Sequence, residues 1–401
     1  MITSQQASDL VRNFSAQYLY KNSEIIPTPQ SLGRILAVDI HAQLDQPPFD
    51  RVAMDGIAIN FESLSNSKEF EIEDLQKAGG PRKKLFNKKN CLEVMTGAPL
   101  PEGCDTIIPY EMLSLNEGKA TITNLQNLNQ FQHIHQQGSD FKKDALLIPK
   151  TKFISSGNIS IIASSGLAEL KVRQLPQMTI VSTGDELIEP GSPLLPHQIY
   201  RSNPYALNAI LKDFGFHSAK LIHLRDKKEE MLLELNKVLN QDQILVISGG
   251  VSKGKFDFIP DVLNELGVKK IFHTVNQRPG KPLYFGTGPK GQLIFGVPGN
   301  PVSAMVNLRR YVIPAILQNF KPTMYVKLTQ VIQKKNEMTL FIPAKLNFSP
   351  SAMMLASPLS NNGSGDFFSL RDSEGFIEID QLNPDNIYPF YHWKNIGGMD
   401  A

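Results

Sequence analysis

Four carboxylates stand where an apolar run gives way to a polar turn. Asp185 and Glu186 follow the run 178–182, Asp226 follows 217–224, and Asp257 closes the peptide Ser248-Gly249-Gly250-Val251-Ser252-Lys253-Gly254-Lys255-Phe256-Asp257. Lys253, Lys255, Arg278 and Lys281 bring positive charge to the same stretch, and a third turn, Pro298-Gly299-Asn300, follows the run 293–297. Carboxylates of this kind hold a hard divalent cation such as Mg²⁺, directly or through its waters, whereas Lys and Arg match phosphate or another oxyanion. Both signs together suit phosphoryl chemistry. Glycine lets backbone N–H groups approach an anion, and a following helix N-terminus adds a favourable field. Neither glycine turn has the spacing of a P-loop or of a dinucleotide fingerprint. Ser252 and Ser303 have no histidine at a meaningful spacing, so a serine nucleophile is not indicated. These residues leave two readings open: a Mg²⁺-dependent enzyme acting on a phosphorylated or nucleotide-bearing compound, and a non-catalytic binding scaffold with an anion pocket.

The elements that must position these groups follow from the hydrophobic rhythm. Between 176 and 321, strands alternate with helices over 202–214, 227–239, 256–266 and 302–317, which predicts a parallel, three-layer α/β domain. Ligands of such sheets sit beyond the carboxyl ends of the strands, where the three turns fall. Residues 46–143 show short, mixed runs separated by turn signals and predict a β domain. Residues 322–401 return to short extended runs and predict a terminal β domain. The β domain is expected to be inserted into a split first domain, 1–45 plus 144–175, which opens with an amphipathic helix over 3–20 capped at Thr3 or Ser4.

The totals set bounds on function. A chain of 401 residues exceeds one core, and 41% hydrophobic with 20% charged residues fits an ordered globular protein. A net charge of +2 predicts no general affinity for nucleic acid or acidic membranes, so any cationic site is local. Two cysteines, Cys91 and Cys104, without a histidine cluster make neither a disulfide scaffold nor a zinc site. The opening Met1-Ile2-Thr3-Ser4-Gln5 lacks a basic-then-apolar leader, and no run reaches the ~18 apolar residues of a membrane span. The cytoplasm is the expected compartment.

Six peptides, in this order, carry a resemblance. Pro48-Phe49-Asp50 with Ala53-Met54-Asp55-Gly56, Met95-Thr96-Gly97-Ala98, Ser182-Thr183-Gly184-Asp185-Glu186-Leu187, Ser248-Gly249-Gly250-Val251-Ser252, Pro279-Gly280-Lys281-Pro282 and Gly296-Val297-Pro298-Gly299-Asn300-Pro301-Val302-Ser303 resemble the molybdopterin molybdenumtransferase family over nearly the whole chain, least after about Lys321. The resemblance implies the last step of molybdenum cofactor synthesis. Molybdenum from molybdate enters adenylylated molybdopterin, and AMP is released in a Mg²⁺-dependent reaction. It also implies a central domain like molybdopterin adenylyltransferase, a barrel-like C-terminal β domain, and a homodimer whose active cleft is shared between subunits. Transient contact with a molybdopterin adenylyltransferase or an acceptor molybdoenzyme is implied as well, with no nucleic acid and no membrane as partner.

Residue by residue, Asp55 and Asp140 resemble the family's acidic pair on the inserted-domain side. Glu186, Asp226 and Asp257 resemble its central-domain carboxylates, which would hold the metal. Lys281 resembles its Pro-Gly-Lys-Pro cation, and Arg278 stands where many members have lysine. Gly249, Gly250, Ser252, Lys253, Lys255, Pro298, Gly299 and Asn300 would contact substrate or anion, with Ser364 in a loop resembling one that contacts pterin or molybdate. One departure is Phe341-Ile342-Pro343-Ala344, where relatives tend to carry an arginine.

Overall fold

The computed structural model describes residues 1–124, 128–251, 257–334, 336–350, 353–359, 363 and 365–395. They form two compact units. One comprises Met1–Ala37, Lys152–Ser156 and Leu170–Ala401, the other Val38–Thr151 and Gly157–Glu169. No described helix is long and apolar enough to cross a membrane.

The second unit is built on a six-stranded sheet in the order Thr106–Pro109, Gly56–Ile59, Cys91–Val94, Glu69–Gln76, Lys119–Ile122, Leu113–Asn116. Alternate residues face two apolar clusters, one around Val52, Leu92 and Ile107 and the other around Ile57, Phe70 and Ile108. Cys91 and Cys104 are buried, free thiols, and burial pushes both up to about 12. Asp45 accepts from the Lys143 N–H at 2.9 Å and Asp50 from the Gln137 N–H at 2.9 Å, which fixes the proline-rich approach to Asp55.

In the first unit, a six-stranded central sheet runs in the order Lys220–Leu224, Met178–Thr183, Ile244–Ser248, Leu293–Val297, Pro282–Thr287, Lys269–Thr274. The first four strands are parallel. Ile180, Val246 and Phe295 pack on one side with the helices Ser4–Tyr18, Asn203–Asp213 and Pro301–Asn307; Val181, Leu245 and Ile294 pack on the other with Lys228–Gln241 and Ile259–Glu265. Helices on both faces bury the inner strands Met178–Thr183, Ile244–Ser248 and Leu293–Val297 entirely, which gives the three layers expected. The expectation of a wholly parallel sheet is corrected by Pro282–Thr287, which runs antiparallel to both its neighbours. The chain reverses there through a tight turn, with Gly291 N–H donating to Gly288 O at 2.9 Å, and no helix intervenes.

The C-terminal strands Met324–Leu328, Thr339–Phe348, Met354–Pro358, Gly375–Ile379 and Ile387–His392 close into a five-stranded barrel, because Thr339–Phe348 pairs with both Met354–Pro358 and Gly375–Ile379. Phe341 lies in the apolar core, packed edge-on against Phe376.

The N-terminal helix, Ser4–Tyr18, starts at a capping box in which Gln6 N–H donates to Thr3 Oγ1 at 3.1 Å and Thr3 N–H to Gln6 Oε1 at 3.0 Å. Its small buried residues Ser4 and Ser8 meet a charged pair drawn from the far end of the chain. Arg310, in the π-helical stretch Leu308–Val312, donates to Glu378 Oε2 at 2.8 Å and Oε1 at 3.2 Å, and also to Ser8 Oγ. Ser4 Oγ donates to Glu378 Oε1 at 3.4 Å. Arg309 beside it donates to His392 O at 2.7 Å and Thr323 Oγ1 at 2.8 Å. Removing one member of a buried pair leaves the other charge uncompensated. Glu378→Gln should therefore lower the unfolding free energy by about 3–5 kcal/mol, measured by urea denaturation, while Arg310→Met combined with Glu378→Leu should recover most of the loss. An unchanged midpoint for the single variant would show that this pair does not tie the helix and barrel to the sheet.

Candidate active site

The carboxyl ends of the four parallel strands line a cleft of about 940 Å³. The crossover that leaves Met178–Thr183 runs to Lys220–Leu224 on one side, whereas the chain leaving its other neighbour, Ile244–Ser248, runs to the opposite side, so a crevice opens between the ends of these two strands. Glu186, Asp226 and Asp257 all line this cleft, with Gly249, Gly250, Pro298, Gly299 and Asn300.

The carboxylates feel one another. Burial raises the Asp226 pKa first, and the negative charges of Asp185, Glu186 and Asp257 raise it further, against the lowering effect of a hydrogen bond from the Asp185 backbone. A place where three acids oppose the ionisation of a fourth attracts a cation, and the donor set is all oxygen, as Mg²⁺ prefers. Among the described residues no three His, Cys, Asp or Glu side chains already form a closed ligand set. The fit is therefore to a hydrated ion held by one or two carboxylates together with substrate oxygens.

The turns are shaped at backbone level. A Cβ on Gly184, where φ is +137°, would lie 2.6 Å from Glu186 Oε2, so this glycine leaves room for the carboxylate folded over it. At Gly249 and Gly250, with φ of +96° and +63°, a Cβ would meet Thr183 Oγ1 at 3.0 and 2.9 Å. Gly249 N–H donates to Val297 O at 3.2 Å and so serves the sheet edge. The side-chain amide of Asn203, at the N-terminus of the Asn203–Asp213 helix, donates to Ser248 Oγ at 2.9 Å and to Gly299 O at 2.7 Å, tying the two glycine turns together. Arg201 is the one cationic residue among the described residues of the lining and is paired with Glu189. Burial, then Arg201, lowers the His223 pKa, and its Nδ1 sits 3.0 Å from Ser182 Oγ.

Three family descriptions cover this architecture in order: MoeA N-terminal region (domain I and II) over residues 2–166, probable molybdopterin binding domain over 179–318, and MoeA C-terminal region (domain IV) over 325–384. A molybdopterin molybdenumtransferase of Synechocystis is 38% identical over 369 residues, covering 90% of this chain and 93% of that protein. The chain belongs to the molybdopterin molybdenumtransferase family. A second protein of that name, from Haemophilus influenzae, is 34% identical over 295 residues, 73% of this chain and 72% of that one. The crystal structure of a molybdopterin biosynthesis MoeA protein from Pyrococcus horikosii matches with a TM-score of 0.77 at 27% identity, covering 98% of this chain and 99% of the other.

Seen against the residues that the family resemblance singled out, the cleft gathers Glu186, Asp226, Asp257, Gly249, Gly250, Pro298, Gly299 and Asn300. Arg278 and Lys281 are exposed and not on its lining. Lys281 O accepts from Val275 N–H at 3.0 Å, and the next residue, Pro282, reaches the cleft. Ser252, Lys253, Lys255 and Ser364 lie outside the described residues. Asp55 and Asp140 belong to the other unit. Asp55 accepts from Thr96 N–H at 2.6 Å and from its hydroxyl at 2.8 Å, which hold its carboxyl below the usual range. Gly56 beside it has no room for a side chain, since a Cβ would fall 2.0 Å from Ile108 O. Arg51 donates to His135 Nδ1 at 3.0 Å, which leaves His135 Nε2–H to donate to Asp140 Oδ1 at 2.8 Å. Thr183, Arg201 and Asn203 are cleft residues that the sequence reading did not select; the Asn203-Pro204 pair at a helix start was the available signal for the last.

The Asp226 carboxyl has a higher pKa folded than unfolded, so its ionisation opposes folding. That penalty is absent below the ordinary carboxylate range, grows as pH rises through the folded value, and is complete above it. Asp226→Asn should raise the melting temperature of the ligand-free chain near neutral pH by about 1–3 °C, on the order of 1 kcal/mol or less at this half-exposed position. The gain should vanish in acid. Calorimetry at several pH values checks it, and a melting temperature lowered at neutral pH would mean that the carboxylates do not repel one another.

Proposed function

We propose that the chain inserts molybdenum from molybdate into adenylylated molybdopterin and releases AMP in a Mg²⁺-dependent reaction. The observation that supports this reading best is the meeting of Glu186, Asp226 and Asp257 with two glycine turns and a helix N-terminus in one cleft. Bound Mg²⁺ would offset the charge that develops as the phosphoanhydride breaks. Asp226 and Asp257, with Glu186, would hold it through oxygen and water, and the N-terminus of the Asn203–Asp213 helix would orient a phosphate. Arg201 adds positive charge on the same lining, and the ring of Phe367 and the Pro298–Pro301 turn bound the space left for the organic part of the substrate. The Arg278–Lys281 segment could attract molybdate or phosphate toward the cleft from outside its lining.

Atoms balance. Two substrate sulfurs bond to molybdenum as one molybdate oxygen leaves in water with the two thiol protons, and cleavage of the anhydride takes up one water to give AMP. In this reading the chain pairs with a second copy, and Asp55 and Asp140 serve that copy's cleft, with the Thr96 and His135 contacts holding the two carboxylates in place.

Purified chain mixed with adenylylated molybdopterin, Mg²⁺ and molybdate should release AMP in step with metal incorporation. Asp257→Asn should leave the fold intact and lower the rate by roughly 10²-fold or more, as loss of a metal-holding carboxylate does. Normal turnover by that variant, or AMP release that does not depend on molybdate, would overturn the reading.

A further inference from the structure

Thr183 ends the central strand Met178–Thr183 and lines the cleft, yet it is only 4% exposed. Its Oγ1 is buried and has no hydrogen-bond partner among the described residues. A buried hydroxyl left unpaired is unfavourable, and native folds rarely tolerate one without a use. The neighbouring hydroxyls of the same edge are engaged: Ser182 Oγ with His223 Nδ1, and Ser248 Oγ with the Asn203 amide. Backbone of the Gly249-Gly250 turn packs close against Thr183 Oγ1. Gly249 and Gly250 turn past it with positive φ, and a side chain on either would lie 3.0 or 2.9 Å from that oxygen. Two residues free of Cβ thus bring backbone up to a buried hydroxyl at the cleft wall while offering its oxygen no bonding partner.

We infer that the Thr183 hydroxyl is a substrate contact, donating a hydrogen bond to a non-bridging phosphoryl oxygen of the nucleotide-bearing ligand. The direction of donation follows from the charges around it. The start of the 11-residue helix Asn203–Asp213 borders the same cleft and favours an anion there, and a phosphoryl oxygen can only accept. This inference rests on the proposed function for the presence of a phosphate ligand, and adds a contact that the carboxylates and glycine turns do not supply.

The test is calorimetric titration of the full chain with AMP and with inorganic pyrophosphate, in the presence of Mg²⁺, for wild type, Thr183→Val and Thr183→Ser. Valine keeps the shape and removes the hydroxyl. Thr183→Val should bind both ligands about tenfold more weakly, the effect of losing a hydrogen bond to a charged group. Its ligand-free melting temperature should be unchanged or higher, because an unpaired polar group has gone. Thr183→Ser should restore most of the affinity. Wild-type affinity in Thr183→Val overturns the contact alone, as does a lower ligand-free melting temperature in that variant, which would reveal a structural partner for the hydroxyl. Wild-type chain that binds neither ligand overturns both the contact and the nucleotide reading.

Discussion

Like charge concentrated where parallel strands end is the constraint around which the rest of the fold is arranged. Burial first, and then the charges of Asp185, Glu186 and Asp257, oppose ionisation of Asp226, so the folded chain carries an electrostatic penalty at the edge where its sheet opens. Such a penalty persists only if packing elsewhere holds the groups in place, and it becomes useful when a cation relieves it. A metal ion bound there in the proposed reaction would find the repulsion already built, and binding would recover what folding gave up.

The holding is done from far away in sequence. Parallel pairing, with the inner strands buried on both faces, fixes the Thr183, Leu224, Ser248 and Val297 ends in register. The helix that follows the last of them runs into Arg309 and Arg310, and those guanidiniums reach the N-terminal helix and the barrel. Within the cleft, Asn203 joins the Ser248 end to the Gly299 turn, so movement of one loop is resisted by the other. The same close fit explains why the glycines cannot be exchanged: Gly184 yields to a carboxylate, and Gly249 and Gly250 to a threonine hydroxyl.

Much of this was legible from the chain alone, and the rest was hidden for identifiable reasons. The helix over Ser4–Tyr18 is written in its cap and in the spacing of Ala7 and Val11, but its partners, Arg310 and Glu378, lie some three hundred residues on and carry no local mark of it. The strand Pro282–Thr287 is masked by the Pro-Gly-Lys-Pro punctuation before it and by burial on both faces, which removes the alternation that reveals a strand. The strand-end carboxylates declare themselves by type and position. Thr183 and Asn203 do not, since a threonine ending a strand and an asparagine opening a helix are ordinary until the glycines opposite are seen. Phe341-Ile342-Pro343-Ala344 shows the reverse case: the resemblance implies an arginine in this stretch, the chain carries no charge there, and Phe341 packs into the core.

The most direct measurement of the central claim is Mg²⁺ titration of the ligand-free wild-type chain, followed by calorimetry across pH. The account predicts that Mg²⁺ raises the melting temperature near neutral pH, that the gain fades as pH falls through the raised Asp226 pKa because the acid form cannot hold the ion, and that Asp226→Asn shows little of it. A shift of the same size in acid and at neutrality, an undiminished shift in Asp226→Asn, or no shift at millimolar Mg²⁺ would contradict the claim that crowded carboxylates at the strand ends form a cation site.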